Sequence, residues 1–274
     1  MVDFTGSGYA TQDDVIAGSL LLSLSSTAVF LGLVNLYLIK TMKIYHNPFG
    51  WLSASRTIGE VGCNLINICF TAPITLIQPL SFSYKFAVAM FISERFFGFS
   101  SCILQLAISF NRLVAVCFPL KYKFIFKKKL TIICIAFSWI YSLVTVSGYL
   151  AVPCNLVGYN PAHHTYVPIG CLEPNKGPFM LFGFLASRLC FGICLTTLII
   201  DSVVFSKIIC IKNITAVKDH SRNIRFFFQS LIQNITMITA MSMVCFVRGD
   251  KIINETITNI VVFDYYYFAH ICNS

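Results

Sequence analysis

The sequence predicts an all-α membrane protein, a seven-transmembrane helix bundle with the N-terminus outside and a short last helix. Three observations carry this. First, 57% of the 274 residues are hydrophobic and 11% charged, where about a quarter would be charged in a soluble domain; the mean hydropathy is +0.76. Second, the apolar residues run in stretches of about 20 residues or more, the length that carries a helix across ~30 Å of hydrocarbon. Third, lysines and arginines gather in alternate turns between those stretches. Seven such spans use nearly the whole chain and leave no room for a soluble catalytic domain.

Residues 1–14 read as a short extracellular tail and residues 15–274 as the bundle. The tail carries Asp3, Asp13 and Asp14 and no basic segment, so the first apolar run is expected to stay as a helix and not be removed as a signal peptide. Span one, residues 15–39, ends at Lys40, Lys43 and an Asn47-Pro48 turn. Span two covers residues 52–79, with Pro73 expected to bend it and Pro79 to end it. Span three, residues 86–118, is the longest and should tilt. Span four, residues 130–152, holds Trp139; span five, residues 179–205, holds Arg188 near mid-depth and Asp201 near one end. Spans six and seven fall at residues 226–247 and 256–274, the last with Tyr265, Tyr266, Tyr267 and His270.

The basic residues give the orientation. Lys40, Lys43 and Arg56 fall to the first loop, Lys121, Lys123, Lys127, Lys128 and Lys129 to the third, and Lys207, Lys212, Lys218, Arg222 and Arg225 to the fifth, residues 206–225. The other side carries Lys85, Lys176, Arg248 and Lys251. The positive-inside rule puts the richer loops in the cytoplasm and makes this a multi-pass plasma-membrane protein. The net charge of +9 then reads as a topology signal and a contact with anionic lipid, not as a nucleic-acid surface. Sequons at Asn213, Asn234 and Asn254 fall in a cytoplasmic, an intramembrane and a membrane-adjacent position, so no glycosylation is expected.

A carboxylate inside a span must face the bundle interior and find a partner. Glu60 is therefore assigned to an interior polar core, with Asn64 one turn on. Glu94 and Arg112 are eighteen residues apart, five turns and about 27 Å, hence on one face of span three. That stripe carries an acid near the outer mouth and a base near the inner one. Glu94 is either part of a ligand site or paired with Arg188 or Arg95. Cys63, Cys69, Cys102, Cys134, Cys190, Cys194 and Cys245 lie in apolar runs and read as small buried hydrophobes, the Cys190-x-x-x-Cys194 pair included. Cys154 and Cys171, in the outer loop at residues 153–176, read as a disulfide. His163 and His164 in that loop read as solvated; no metal and no cofactor are expected.

The stretch Asn111-Arg112-Leu113-Val114-Ala115-Val116-Cys117-Phe118-Pro119-Leu120-Lys121-Tyr122 resembles the Asp-Arg-Tyr signature, followed by Pro-Leu-x-Tyr, that closes the third helix of rhodopsin-like G-protein-coupled receptors. It is most similar to nematode serpentine chemoreceptors of receptor class X, which commonly read Asn-Arg and then Phe-Pro-Leu-x-Tyr. The resemblance implies a receptor in which Asn111, Arg112, Pro119 and Tyr122 form the G-protein coupling switch. It places Asn35 as a contact to helices two and seven, and a small-molecule site among Glu94, Arg188, Phe97, Tyr265 and Tyr266. Its partners would be a heterotrimeric G protein, a small-molecule ligand and the lipid bilayer. Departures are also plain. Asn111 stands where the wider family has Asp, removing the carboxylate beside Arg112. The outer cysteine of span three would fall near Ala87, so the usual bridge is replaced by Cys154 to Cys171. Span six lacks a Cys-Trp-x-Pro hinge, and an Asn-Pro-x-x-Tyr stretch does not follow Tyr267-Phe268-Ala269-His270.

The reading is thus a chemosensory receptor, not an enzyme, with a truncated non-signalling homologue as the alternative. A transporter or channel ranks lower: no internal repeat is visible, and Glu60, Glu94, Arg188 and Asp264 form no ring. A membrane enzyme ranks lowest, because His-Glu-x-x-His, a phosphate-binding glycine loop and a nucleophile with an evident base are all missing.

Overall fold

The structure, a computed structural model, describes residues 6–151, 156–168 and 180–212, together with residues 235, 238 and 239. The seventh span with Tyr265 and Tyr266, most of the sixth, Cys154, Cys171 and the three sequons lie outside the described residues.

The chain runs through α1 (Gln12–Thr41), α2 (Pro48–Ile66), a π-turn at Asn67–Thr71, α3 (Ala72–Ile77), α4 (Tyr84–Cys117), α5 (Pro119–Ile125) and α6 (Lys128–Ala151). A hairpin of β1 (Val157–Asn160) and β2 (Thr165–Pro168) follows, then α7 (Met180–Lys212). Among the described residues, five helical segments are long and apolar enough to cross a membrane: α1, α2 joined to α3, α4, α6 and α7. α4 packs against α2, α6 and α7, while α1 lies against α2 and α3.

The burial pattern is that of a protein dissolved in hydrocarbon. α6 exposes Ile132, Ile133, Phe137, Ile140, Leu143 and Val144 and buries Thr131, Ser138 and Ser142, the reverse of a soluble helix. With lipid outside, apolar side chains gain nothing by turning inward, so small and polar residues make the helix contacts. Trp139 Nε1 donates to Ser55 Oγ of α2 at 2.9 Å. Gly62 lets α2 approach α4 so closely that a Cβ there would lie 2.7 Å from the Phe97 ring.

Local chemistry sets the helix ends. Asn47 caps α2 by accepting from Gly50 N at 2.9 Å, with Pro48 at the first helical position, where its missing N–H costs nothing. Pro73 lacks an amide and its ring crowds the carbonyl four residues back; the chain accommodates it with the wide turn at Asn67–Thr71 just before it. α3 stops at Ile77, where Gln78 turns left-handed with φ of 49°.

Three expectations change. Arg56, grouped with the first basic loop, is a buried residue of α2: its Nε and Nη2 both donate to Glu60 Oε1, at 2.9 and 2.7 Å. The third loop is partly helical, as α5, because Pro119 pre-sets the first turn. α7 continues to Lys212, so the start of the fifth loop is helix.

One outer-loop histidine, His164, also departs from expectation. His164 is 4% exposed, and its Nε2 lies 2.6 Å from Asp14 Oδ1. Gln78 Nε2 donates to the same oxygen at 2.8 Å and to Pro161 O at 3.0 Å. The other Asp14 oxygen accepts from Thr11 N at 2.8 Å, completing a capping box at the start of α1. One carboxylate thus ties α1, the end of α3 and the hairpin together. The tail joins this knot, Gly6 N donating to Pro79 O at 2.7 Å and Gly8 N to Gln78 O at 3.0 Å.

Asp14→Ala removes the carboxylate half of the capping box that Thr11 opens and takes from buried His164 its Asp14 partner at about 1–3 kcal/mol. The melting temperature of the detergent-solubilised protein should fall by several degrees; a melting temperature equal to wild type would contradict the knot. Glu60→Leu takes from buried Arg56 the carboxylate of its ion pair, at about 3–5 kcal/mol, and should deplete folded protein at the membrane. Arg56→Met combined with Glu60→Leu should recover most of it, as read by surface labelling.

Candidate functional site

α4 carries candidate site residues, Glu94 and Arg112, toward its two ends and places them by helical period alone. At the end capped by the hairpin, Glu94 is 2% exposed and accepts a hydrogen bond from the Tyr166 hydroxyl of β2. The Tyr166 ring lies 5.1 Å from Phe91 and 5.6 Å from Tyr159. Arg95 sets its guanidinium 5.1 Å from the Phe91 ring and 5.7 Å from the Tyr166 ring. Phe91, Glu94 and Arg95 share one face because they sit three and four residues apart. Phe99, Val146, Tyr149 and Ala186 close the cluster from α4, α6 and α7.

The hairpin is placed by its tyrosines. Tyr159 and Tyr166 pair across the strands and both turn into the bundle. Tyr159 is fully buried, its hydroxyl 2.6 Å from Thr75 Oγ1 of α3, while Tyr166 reaches Glu94. A buried carboxylate, a guanidinium over aromatic faces and an apolar wall form the kind of surface that recognises a small molecule with a polar head and an apolar body. Of the residues expected here, Arg188 is half-buried on α7 between Ala186 and Cys190, both of which pack on this cluster. Phe97 is elsewhere: its ring meets Trp139 of α6 at 6.1 Å and Gly62 of α2.

The middle of the bundle holds the interior polar residues. Asn35 Nδ2 donates to Thr57 Oγ1 of α2 at 3.0 Å. Asn64 Nδ2 donates to the Glu60 carbonyl at 2.8 Å, one turn from the Arg56–Glu60 pair. Ser101 Oγ of α4 donates to the Arg56 carbonyl at 3.4 Å.

At the opposite end, the Asn-Arg motif and the Pro-Leu-x-Tyr motif meet. Asn111 is buried, its amide group 3.4 Å from the Tyr122 hydroxyl of α5, a long and weak contact. Pro119 begins α5 and so aims Tyr122 back at α4; Tyr122 stacks on Phe126 with ring centroids 5.7 Å apart. Arg112 lies over the Phe49 ring of α2 at 5.2 Å. It also feels two charges, the opposite one of Asp201 on α7 and the like one of Arg56 on α2. Asp201 is fully buried.

Sequence reasoning placed the α4 stripe but missed Tyr166 and Phe91. Phe91 had a signal, its spacing of three from Glu94; Tyr166 sits in a loop whose approach to the bundle no periodicity reveals.

The comparisons with known proteins agree with this architecture. A stretch of 132 residues, 47% of this chain, is 26% identical to the human protein named olfactory receptor 2Z1 and covers 42% of it. A stretch of 167 residues, 59% of this chain, is 25% identical to the mouse protein named olfactory receptor 1J21 and covers 52% of it. The chain spans about half the length of these curated relatives. The family model for the serpentine type 7TM GPCR chemoreceptor Srx matches residues 22–273, from the middle of α1 almost to the last residue, and so takes in both ends of the α4 stripe: the chain belongs to the serpentine type 7TM GPCR chemoreceptor Srx family.

Proposed function

We propose that the chain is a chemosensory receptor of the plasma membrane that acts by binding and not by turnover. A small molecule is recognised outside the cell at the hairpin-capped end, and a heterotrimeric G protein meets the Arg112 end in the cytoplasm. The single observation that carries this reading is the α4 stripe, with Glu94 buried beneath the hairpin and Arg112 beside the Pro119–Tyr122 turn.

The orientation is supported by charge. Lys40 stands in the last turn of α1 and Lys43 just after it, Lys121 lies in α5 with Lys127, Lys128 and Lys129 after it, and Lys207 lies toward the end of α7; by helix order all fall at the Arg112 end, as a cytoplasmic face requires. Residues 6–11 precede α1 at the opposite, hairpin-capped end, in keeping with an extracellular tail over residues 1–14. The chemosensory assignment is supported by the family and by the two relatives named olfactory receptors.

The mechanism follows from what Glu94 already holds. A ligand whose polar head competes for Glu94 or Tyr166 trades the hairpin contact for its own. It shifts the bundle to the extent that it binds one arrangement of helices better than the other. At the far end that shift opens the surface beside Arg112 to a helix of the G protein, a helix-in-groove contact. Asp201 supplies from α7 the carboxylate that Asn111 lacks, so separating α7 from α4 frees Arg112.

Two experiments test this reading. In a compound screen read by G-protein activation, Glu94→Gln and Tyr166→Phe should each raise the half-maximal concentration of polar-headed agonists about 10- to 100-fold, the weight of a charge-assisted hydrogen bond. Unchanged responses to every active compound would remove Glu94 from the site. Arg112→Ala at wild-type surface level should abolish activation, while Asp201→Asn should raise basal activity. Signalling by Arg112→Ala equal to wild type would exclude the coupling role.

A further inference from the structure

Three cysteines from two helices meet about halfway along α4. Cys102 is eight residues from Glu94 and ten from Arg112, about 12 and 15 Å along the axis. Cys190 and Cys194 stand one turn apart on α7, hence on one face. Cys102 Sγ lies 3.0 Å from Cys190 Sγ and 3.8 Å from Cys194 Sγ, and all three sulfurs are within 4.8 Å of one another. Burial of single thiols as small hydrophobes explains each cysteine alone, but it does not explain why α4 and α7 present all three to one point.

That triangle has the dimensions of a coordination site. Three thiolates held at about 2.3 Å from one metal stand about 3.8–4.0 Å apart, from the tetrahedral to the planar limit; Cys102–Cys194 already has that length, and Cys102–Cys190 would open from 3.0 Å to receive the ion. A cavity of about 10 Å³ lies against Cys102 and Cys190, room for about one water-sized occupant. The surroundings are apolar, with Phe191, Ile193 and Ile238 packed on the cluster. A set of three sulfurs excludes calcium and magnesium, which take oxygen donors. Thiolates select soft ions, and the donor set found among the described residues is three sulfurs from two helices, which suits an ion content with three-fold coordination.

We propose that Cys102, Cys190 and Cys194 bind one soft closed-shell metal ion of the copper(I) class, bridging α4 to α7. On binding, each metal–sulfur bond replaces an S–H bond and the protons leave to solvent; no electron is transferred. Arg95, seven residues and about two turns before Cys102 on α4, is a cation on the same face of that helix. Because the ion would join two helices between Glu94 and Arg112, its occupancy sets how freely they separate.

The test titrates the purified, reduced full-length protein with copper(I) against a chromophoric copper(I) chelator. Wild type should hold one equivalent that the Cys102→Ser/Cys190→Ser/Cys194→Ser protein releases, and each single Ser variant should bind at least tenfold more weakly. Cys63→Ser and Cys134→Ser should bind as wild type does. X-ray absorption on the copper-loaded wild type, which needs no variant, should show three sulfur neighbours at about 2.3 Å. Equal retention by the triple variant, nitrogen or oxygen neighbours, or a Cys102–Cys190 disulfide trapped by rapid thiol blocking would each overturn the proposal. Preference for zinc when both ions are offered would overturn the choice of ion.

Discussion

Burial of charge away from water is the constraint on which this bundle is built. A charged side chain in a membrane span must be paired or hydrogen-bonded by the protein, and each such group described on α2 and α4 is answered by a second element or a neighbouring turn. Glu60 accepts from Nε and Nη2 of Arg56, Glu94 accepts from Tyr166, and Arg112 lies on the Phe49 ring with the opposite charge of Asp201 acting on it. At the head of α1, Asp14 takes Gln78 and His164. The hairpin is therefore not an ornament on the loop. Two buried carboxylates, Asp14 and Glu94, require His164 and Tyr166 to be where they are, and those two residues fix the hairpin over the end of the bundle.

Two non-glycine residues accept left-handed backbone for the same reason. Gln78 and His164, at φ of 49° and 47°, each spend of order 1 kcal/mol of local strain to aim a donor at Asp14. Elsewhere the helices hold together by close approach more than by apolar burial, as lipid demands. Gly62 against Phe97 and Trp139 against Ser55 bring α2, α4 and α6 together at one depth. Phe97 is thereby a wedge between α2 and α6, which is why it does not join Glu94 three residues away.

How much of this was legible in the sequence depended on whether the signal was periodic. The shared face of Glu94 and Arg112 follows from spacing on one helix, and the interior position of Glu60 from the cost of turning a carboxylate toward lipid. Arg56 was misassigned because its basic neighbours are counted by loop. Yet its spacing of four from Glu60 was in plain view, and residues four apart on a helix are neighbours that can pair. His164 and Tyr166 were out of reach, since a loop's contacts depend on which strand faces down, and the four-residue strands carry too short an alternation to show it. α5 was missed because a seven-residue helix has no apolar stripe of its own; only Pro119 hinted at it.

The exchange at the head of the motif shows how charge placement can change helices while keeping a contact. With Asn111 in place of an acid, the position next to Arg112 bonds a neutral hydroxyl, that of Tyr122, and holds α5 against α4. The opposing charge comes instead from Asp201 on α7. A carboxylate on the same helix as the arginine is blind to how the helices move, because the two travel together. One on α7 reports the α4–α7 separation directly, since Coulomb energy in a low-dielectric interior changes steeply with distance. The same two helices carry Cys102 against Cys190 and Cys194, about three turns nearer the hairpin. The α4–α7 seam is thus the part of the fold in which the described chemistry depends most on relative helix position.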